Sequence, residues 1–207
     1  MEKRKENWRK VPKRRNSQPK IGGETRFRWK PTKDVALTAG GLLPYDKDGI
    51  WVIEEHSKRK PDQLEYTDLG GRYHFDDGDI YATIAREFNE EVYYSAEITR
   101  KQVLKISEIS ETIHIDGYQK KPVYACVLAP VFCLESMGIK MNPKQFLIRR
   151  EIVLRQNPDV PKSYYRPLKL EYISHADIAN NLYTLSNRLK CILKESKVLS
   201  KYIEMHK

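Results

Sequence analysis

The chain has 207 residues, 40% hydrophobic and 32% charged, with a formal net charge of +10. That length suits one domain with an appendage. No apolar run reaches about 18 residues and no apolar signal segment opens the chain, so neither a membrane span nor a secretory leader is indicated. The three cysteines (Cys126, Cys133, Cys191) lack metal-type spacing and read as reduced thiols of a cytoplasmic or nuclear protein.

The charge is segregated. Residues 1–33 hold 13 Lys/Arg and 3 acids, a net of +10, and the remaining 25 basic and 25 acidic side chains cancel. Such a leader cannot bury a core and is expected to be disordered alone. Lys13, Arg14 and Arg15 suit three roles: contact with a nucleic-acid backbone through counterion release, a nuclear address, or plain solubility. Trp8, Phe27 and Trp29 punctuate the segment; the alternation Phe27-x-Trp29 suits docking on a domain edge, and aromatics among cations also stack on bases.

A folded body is expected over 34–207. Val35 to Tyr45 reads as a strand and Gly49 to Glu55 as its hairpin partner, turned by Asp46-Lys47-Asp48-Gly49. Thr67-Asp68-Leu69 leads into Gly70-Gly71. Ile80, Ile84, Phe88 and Val92 recur every four residues, with Ala82 and Ala85 alongside, which predicts an amphipathic helix over 80–92 capped by the preceding aspartates. On such a helix Glu87, Glu90 and Glu91 crowd within a sector of roughly 40–60°. Three carboxylates that close repel one another, and a hard divalent cation is the economical reason to keep them. A merely solvated acidic face is the alternative.

Lys105 to Glu111 and Thr112 to Asp116 read as strands, with a turn at Asp116-Gly117. Lys121 to Cys133 reads as a long central strand. Asn142 and Pro143 open a helix over 143–156 within an insertion near 140–162, closed by Asn157 to Pro161. Arg149, Arg150 and Arg155 lie on it; Arg149 and Arg150 are candidate phosphate contacts or part of a solvated face. Leu170 to Ile178 reads as a strand running into a helix. Leu182, Leu185, Leu189, Ile192 and Leu193 predict a further helix packed on the sheet.

Gly70-Gly71, an acidic position, then Arg86-Glu87-Phe88-Asn89-Glu90-Glu91 resembles the signature box of the Nudix hydrolases. In that family Gly is followed by five residues, Glu, seven residues, and Arg-Glu-apolar-x-Glu-Glu-x-Gly-apolar. Here Asp77 stands where the family has Glu, eight residues rather than seven precede Arg86, and Tyr93 stands where the family has Gly. A non-glycine residue resists the left-handed region, so Tyr93 is expected to leave the helix another way. The resemblance spans about 34–190 with its flanking strands in order.

The resemblance implies an α/β (α+β) Nudix fold, a mixed sheet between helices, and hydrolysis of a nucleoside diphosphate linked to another group with Mg²⁺ or Mn²⁺. It implies Glu87, Glu90 and Glu91 as metal ligands, with a backbone carbonyl at Gly70 or Gly71. Arg86 is expected to fix the glutamates by bidentate pairing. The general base is Glu91, or a later carboxylate such as Glu135 or Glu171; His74 is read as incidental. Family members act on small nucleotides, dinucleoside polyphosphates, ADP-ribose or messenger-RNA caps. A neutral body with a cationic leader favours a polyanion, and the Lys-, Ile- and Tyr-rich composition looks like that of decapping members from large DNA viruses. The expected substrate is therefore capped RNA, contacted in part by the leader. The alternatives are a small-nucleotide hydrolase and a Nudix module that binds RNA without cleaving it.

Overall fold

The computed structural model describes residues 37–57, 60–74, 76–116, 122–156 and 166–206. The leader, including Lys13 to Arg15, Phe27 and Trp29, lies outside the described residues, as do Gly117 and the 157–161 segment.

The first hairpin is set by its turn. Between β1 (Ala39–Tyr45) and β2 (Gly49–His56), the Asp46 carboxylate accepts from the backbone N–H of Asp48 (2.9 Å) and Gly49 (3.0 Å), an aspartate turn in which the side chain substitutes for backbone. The two strands then part, being in register only at Tyr45 and Ile50. The segment 64–72 crosses the gap. Its first half, β3 (Leu64–Thr67), pairs with β2, and its second, β4 (Leu69–Arg72), pairs with β1. Asp68 stands at the crossing.

On its other edge β1 runs parallel to β6 (Pro122–Pro130), from Ala39 beside Tyr124 to Tyr45 beside Pro130. β5 (Thr112–Asp116) lies antiparallel on β6, and β7 (Pro167–Ser174) antiparallel on β2. The result is one seven-stranded mixed sheet flanked by helices, the mixed α/β class expected.

Alternation separates the two faces. Leu42, Ile53, Leu69 and Val127 face α1 (Ile80–Glu91), α2 (Arg100–Ile109) and α4 (Pro143–Gln156), whose Ile84, Phe88, Val103, Ile106 and Phe146 complete that core. Leu43, Ile50, Val52, Cys126 and Leu128 face α5 (His175–Ala179), α6 (Asn187–Glu195) and α7 (Lys197–Glu204), which add Ile178, Leu189, Ile192 and Leu199. Each buried aliphatic side chain contributes about 1.5–3 kcal/mol. Both thiols in apolar sequence, Cys126 and Cys133, are buried, and Cys191 is exposed. Among the described residues no helix is long and apolar enough to cross a membrane.

Four expectations are corrected. Lys105 to Ile109 belongs to α2, not to a strand. Thr99 and Gln102 cap that helix reciprocally, and Val103 and Ile106 bury at helical spacing; the Thr-x-x-Gln box outweighs the two-residue alternation. β6 ends at Pro130, and Val131–Ser136 forms α3, because proline has no N–H for a further ladder bond. The C-terminal region is three helices, each capped by a serine (Ser174, Ser186, Ser196), and Leu182 lies exposed between the first two.

The fourth correction concerns the end of α1. Tyr93 (φ 51) and Tyr94 (φ 56) both occupy the left-handed region, at about 1–2 kcal/mol per residue. Packing offsets it. Tyr93 is 2% exposed, its ring meets Phe146 edge-on at 5.2 Å, and its hydroxyl donates to the Pro167 carbonyl at 3.2 Å. Tyr93→Gly relieves the backbone but empties this site, so it is expected to destabilise by about 2–4 kcal/mol in urea unfolding.

Candidate active site

Two glycine pairs make the platform. In the β1–β4 ladder Gly40 lies opposite Gly71 and Gly41 opposite Gly70. A Cβ on Gly40 would come within 2.7 Å of Ile80 Cδ1, and one on Gly71 would collide with Glu87 Oε2. The missing side chains let α1 settle on the backbone, which presses the buried Glu87 carboxylate against β4.

The start of α1 then orders its acids. Asp79 caps the helix, its Oδ1 accepting from Ala82 N–H at 2.9 Å. The residue extra to the family spacing is absorbed just before it, where Gly78 takes φ +76. Arg86 makes a two-toothed pair with Asp77, Nε to Oδ1 at 2.8 Å and Nη2 to Oδ2 at 2.9 Å. The same guanidinium donates to Glu87 Oε1 (2.6 Å), Glu90 Oε2 (3.3 Å) and the Arg72 carbonyl (2.7 Å). The bidentate partner is thus Asp77 rather than a glutamate, and each glutamate receives one bond. Burial raises the Asp77 pKa, but donation from Arg86, from His74 N–H and from the Thr83 hydroxyl outweighs it and holds the carboxyl below its ordinary value. His74 serves here through its backbone.

Glu91 faces different company. Its Oε2 is buried with no hydrogen-bond partner. Burial first, then the charges of Glu55 and Glu87, push its pKa well above the ordinary carboxylate value; Arg188 opposes them and Asp68 adds to them. Asp68, fully buried at the crossing between β3 and β4, accepts from Arg188 Nε at 2.6 Å and from the Tyr124 hydroxyl. Arg188 Nη2 also donates to Thr67 Oγ1 (3.0 Å), the Asp68 carbonyl (3.2 Å) and the Gly70 carbonyl (3.1 Å), and its guanidinium lies 4.8 Å from the Tyr124 ring centre. The Gly70 carbonyl is therefore occupied by Arg188, whereas Gly71 lies against Glu87. An open cleft of about 390 Å³ begins at Glu55, Thr67 and Arg188 and reaches Lys60 and Lys190.

The other candidates lie elsewhere. Arg149 and Arg150 are half-buried on α4, and Arg150 Nε donates to the Pro167 carbonyl at 2.8 Å, fastening α4 to β7. Glu135 is exposed on α3, beyond the Pro130 end of β6, whereas the glycine platform neighbours its Tyr124 end. Glu171 accepts from the Tyr66 hydroxyl at 3.2 Å.

Among the described residues no three His, Cys, Asp or Glu side chains stand close enough to hold a cation as placed. The chemistry of the set still suits one. All its donors are oxygens, which hard divalent cations take, and Glu91 keeps a buried oxygen without a partner. Four participants escape sequence reasoning: Glu55, Asp68, Tyr124 and Arg188. The adjacent acids Glu54-Glu55 inside an apolar strand are the one visible signal; nothing local marks Arg188.

Two outcomes follow from these environments. The folded pKa of Asp77 lies below its ordinary 3.8, so its stabilisation is present above that value and is lost as pH falls through the folded pKa. Asp77→Asn should cost about 3 kcal/mol at neutral pH, where it strands Arg86, and the gap to wild type in urea unfolding should close under strong acid. Glu91 has the opposite sign. Its folded pKa is raised above 4.5, so stability is lost as pH rises from that value toward the folded pKa. Glu91→Gln should raise the Tm of the metal-free protein by about 2–4 °C for each kcal/mol relieved, with the gain shrinking toward pH 4.5 in a calorimetric series.

Compared with known proteins, the chain matches no family model and no curated protein, so the reading of this site stands on its residues.

Proposed function

We propose that this chain is a Nudix-type hydrolase that cleaves a pyrophosphate bond with Mg²⁺ or Mn²⁺, and that its substrate is the 5′ cap of RNA. One observation carries the reading: a buried, unpartnered Glu91 oxygen on a helix that a glycine-only platform admits to the sheet. A fold gains nothing from a buried carboxylate facing Glu55 and Glu87, so the burial argues for a ligand.

Glu87, Glu90 and Glu91, with the Gly71 carbonyl, are the groups to hold the cation. When bound, it neutralises phosphate charge and makes water a better nucleophile. Arg86, locked on Asp77, fixes how Glu87 and Glu90 are presented. Glu91, with its raised pKa, accepts the proton of the attacking water. Water oxygen bonds to phosphorus, the bridging P–O bond breaks, and the electron pair leaves on the departing phosphate. The polyanionic substrate is favoured by charge: a leader of net +10 on a neutral body holds a phosphate backbone rather than a lone nucleotide.

One observation favours a second reading. Arg86 already occupies an oxygen of both Glu87 and Glu90, as suits a module that binds RNA without cleaving it. Cap-labelled RNA incubated with the protein and Mn²⁺ decides. Release of methylated guanosine diphosphate is expected, reduced about 10²–10⁴-fold by Glu91→Gln. Turnover of ADP-ribose or dinucleoside polyphosphates without cap release would move the substrate to small nucleotides, and no turnover of any of them would favour the binding module.

A further inference from the structure

Glu55 is the acid that the box motif does not contain. On β2 it follows Ile53 by two residues, so it shares the face that Ile53 buries against the α1 core. It is 7% exposed, yet it borders the open cleft. Its neighbour Glu54 turns to the opposite face, where it accepts from the Tyr66 hydroxyl at 2.9 Å and pairs with Lys169 at 3.2 Å. Glu55 has a looser partner, Arg166 at 3.6 Å, and sits directly across the ladder from Glu65. Like charges so placed repel. The β2–β7 register also shifts between Glu54 and Glu55, the kind of irregularity that re-aims side chains beside active sites.

Across the gap lies Glu91, whose buried Oε2 has no partner. Of the charges acting on Glu91, Glu55 is the largest. Two carboxylates from different elements thus face each other, one of them beside a solvent-open cleft, which supplies an entry path for an ion. We infer that Glu55 is a fourth acidic ligand, joining Glu91 to bind one divalent cation between β2 and α1. This rests on the metal-dependent reading above and extends it: the ion is shared by sheet and helix rather than held by the helix alone.

Mn²⁺ titrations of the full chain, followed by electron paramagnetic resonance and calorimetry, test it without reference to turnover. Glu55→Gln should weaken Mn²⁺ binding at least about 10-fold, the lower end of what losing even an outer partner of a metal ligand does. Glu54→Gln should bind as wild type. The metal-free Glu55→Gln protein should melt no lower than wild type, since it relieves Glu91. Should it not fold, Glu55→Asp keeps the charge and withdraws it by one methylene, and an affinity between those extremes is expected. Wild-type affinity in Glu55→Gln or Glu55→Asp overturns the role of Glu55 and leaves the hydrolase reading standing, as does equal weakening by Glu54→Gln. No saturable Mn²⁺ binding by the wild-type chain overturns both.

Discussion

The site depends on one buried ion pair. β1 and β2 separate after a single registered pair, and the strand segment that fills the gap changes partner at Asp68. A carboxylate buried there without a partner would cost several kcal/mol. Arg188 supplies the partner from α6, and the same guanidinium bonds to the Thr67 hydroxyl and to the Asp68 and Gly70 carbonyls. One side chain thus holds both halves of the crossing strand and the glycine that opens the platform. Breaking such a buried pair costs about 3–5 kcal/mol, because the surviving charge is stranded. The Tyr124 hydroxyl and ring complete the enclosure from β6.

With the crossing fixed, α1 has one place to go. Gly40 and Gly71 leave it a patch of bare backbone, and Ile80, Ile84 and Phe88 anchor it in the core. The acids on its exposed flank then divide. Arg86 draws Glu87 and Glu90 into a network centred on Asp77, and Glu91 is left facing Glu55. The first group is stabilising and the second is strained by like charge. That asymmetry suits a site that must stay ordered while one carboxylate keeps its lone pairs free for a ligand.

Much of the fold is legible because it is local. The Ile80–Ile84–Phe88 spacing sets α1, ending at Glu91 within a residue of the expected limit, and Asn142-Pro143 sets the start of α4. The misreadings have physical causes. Around Ile106 a two-residue alternation and a three-residue spacing coexist, and the Thr99 cap decides for the helix. At Tyr93 the expected avoidance of the left-handed region is overruled by Phe146, which arrives from more than fifty residues away.

By itself the sequence determined three things about this protein: a helix bearing Glu87, Glu90 and Glu91 on one sector, a glycine pair leading to it, and a cationic leader on a neutral body. Each follows from period, turn chemistry or a count of charges. Tertiary structure decided which acids are neutralised and which are not. Asp77 as the partner of Arg86, Asp68 as the partner of Arg188, and Glu55 as the neighbour of Glu91 all depend on side chains from separate segments meeting through strand register. Hydrogen-bond competition and burial settle those pairings, and both are properties of the packed sheet rather than of any stretch of chain.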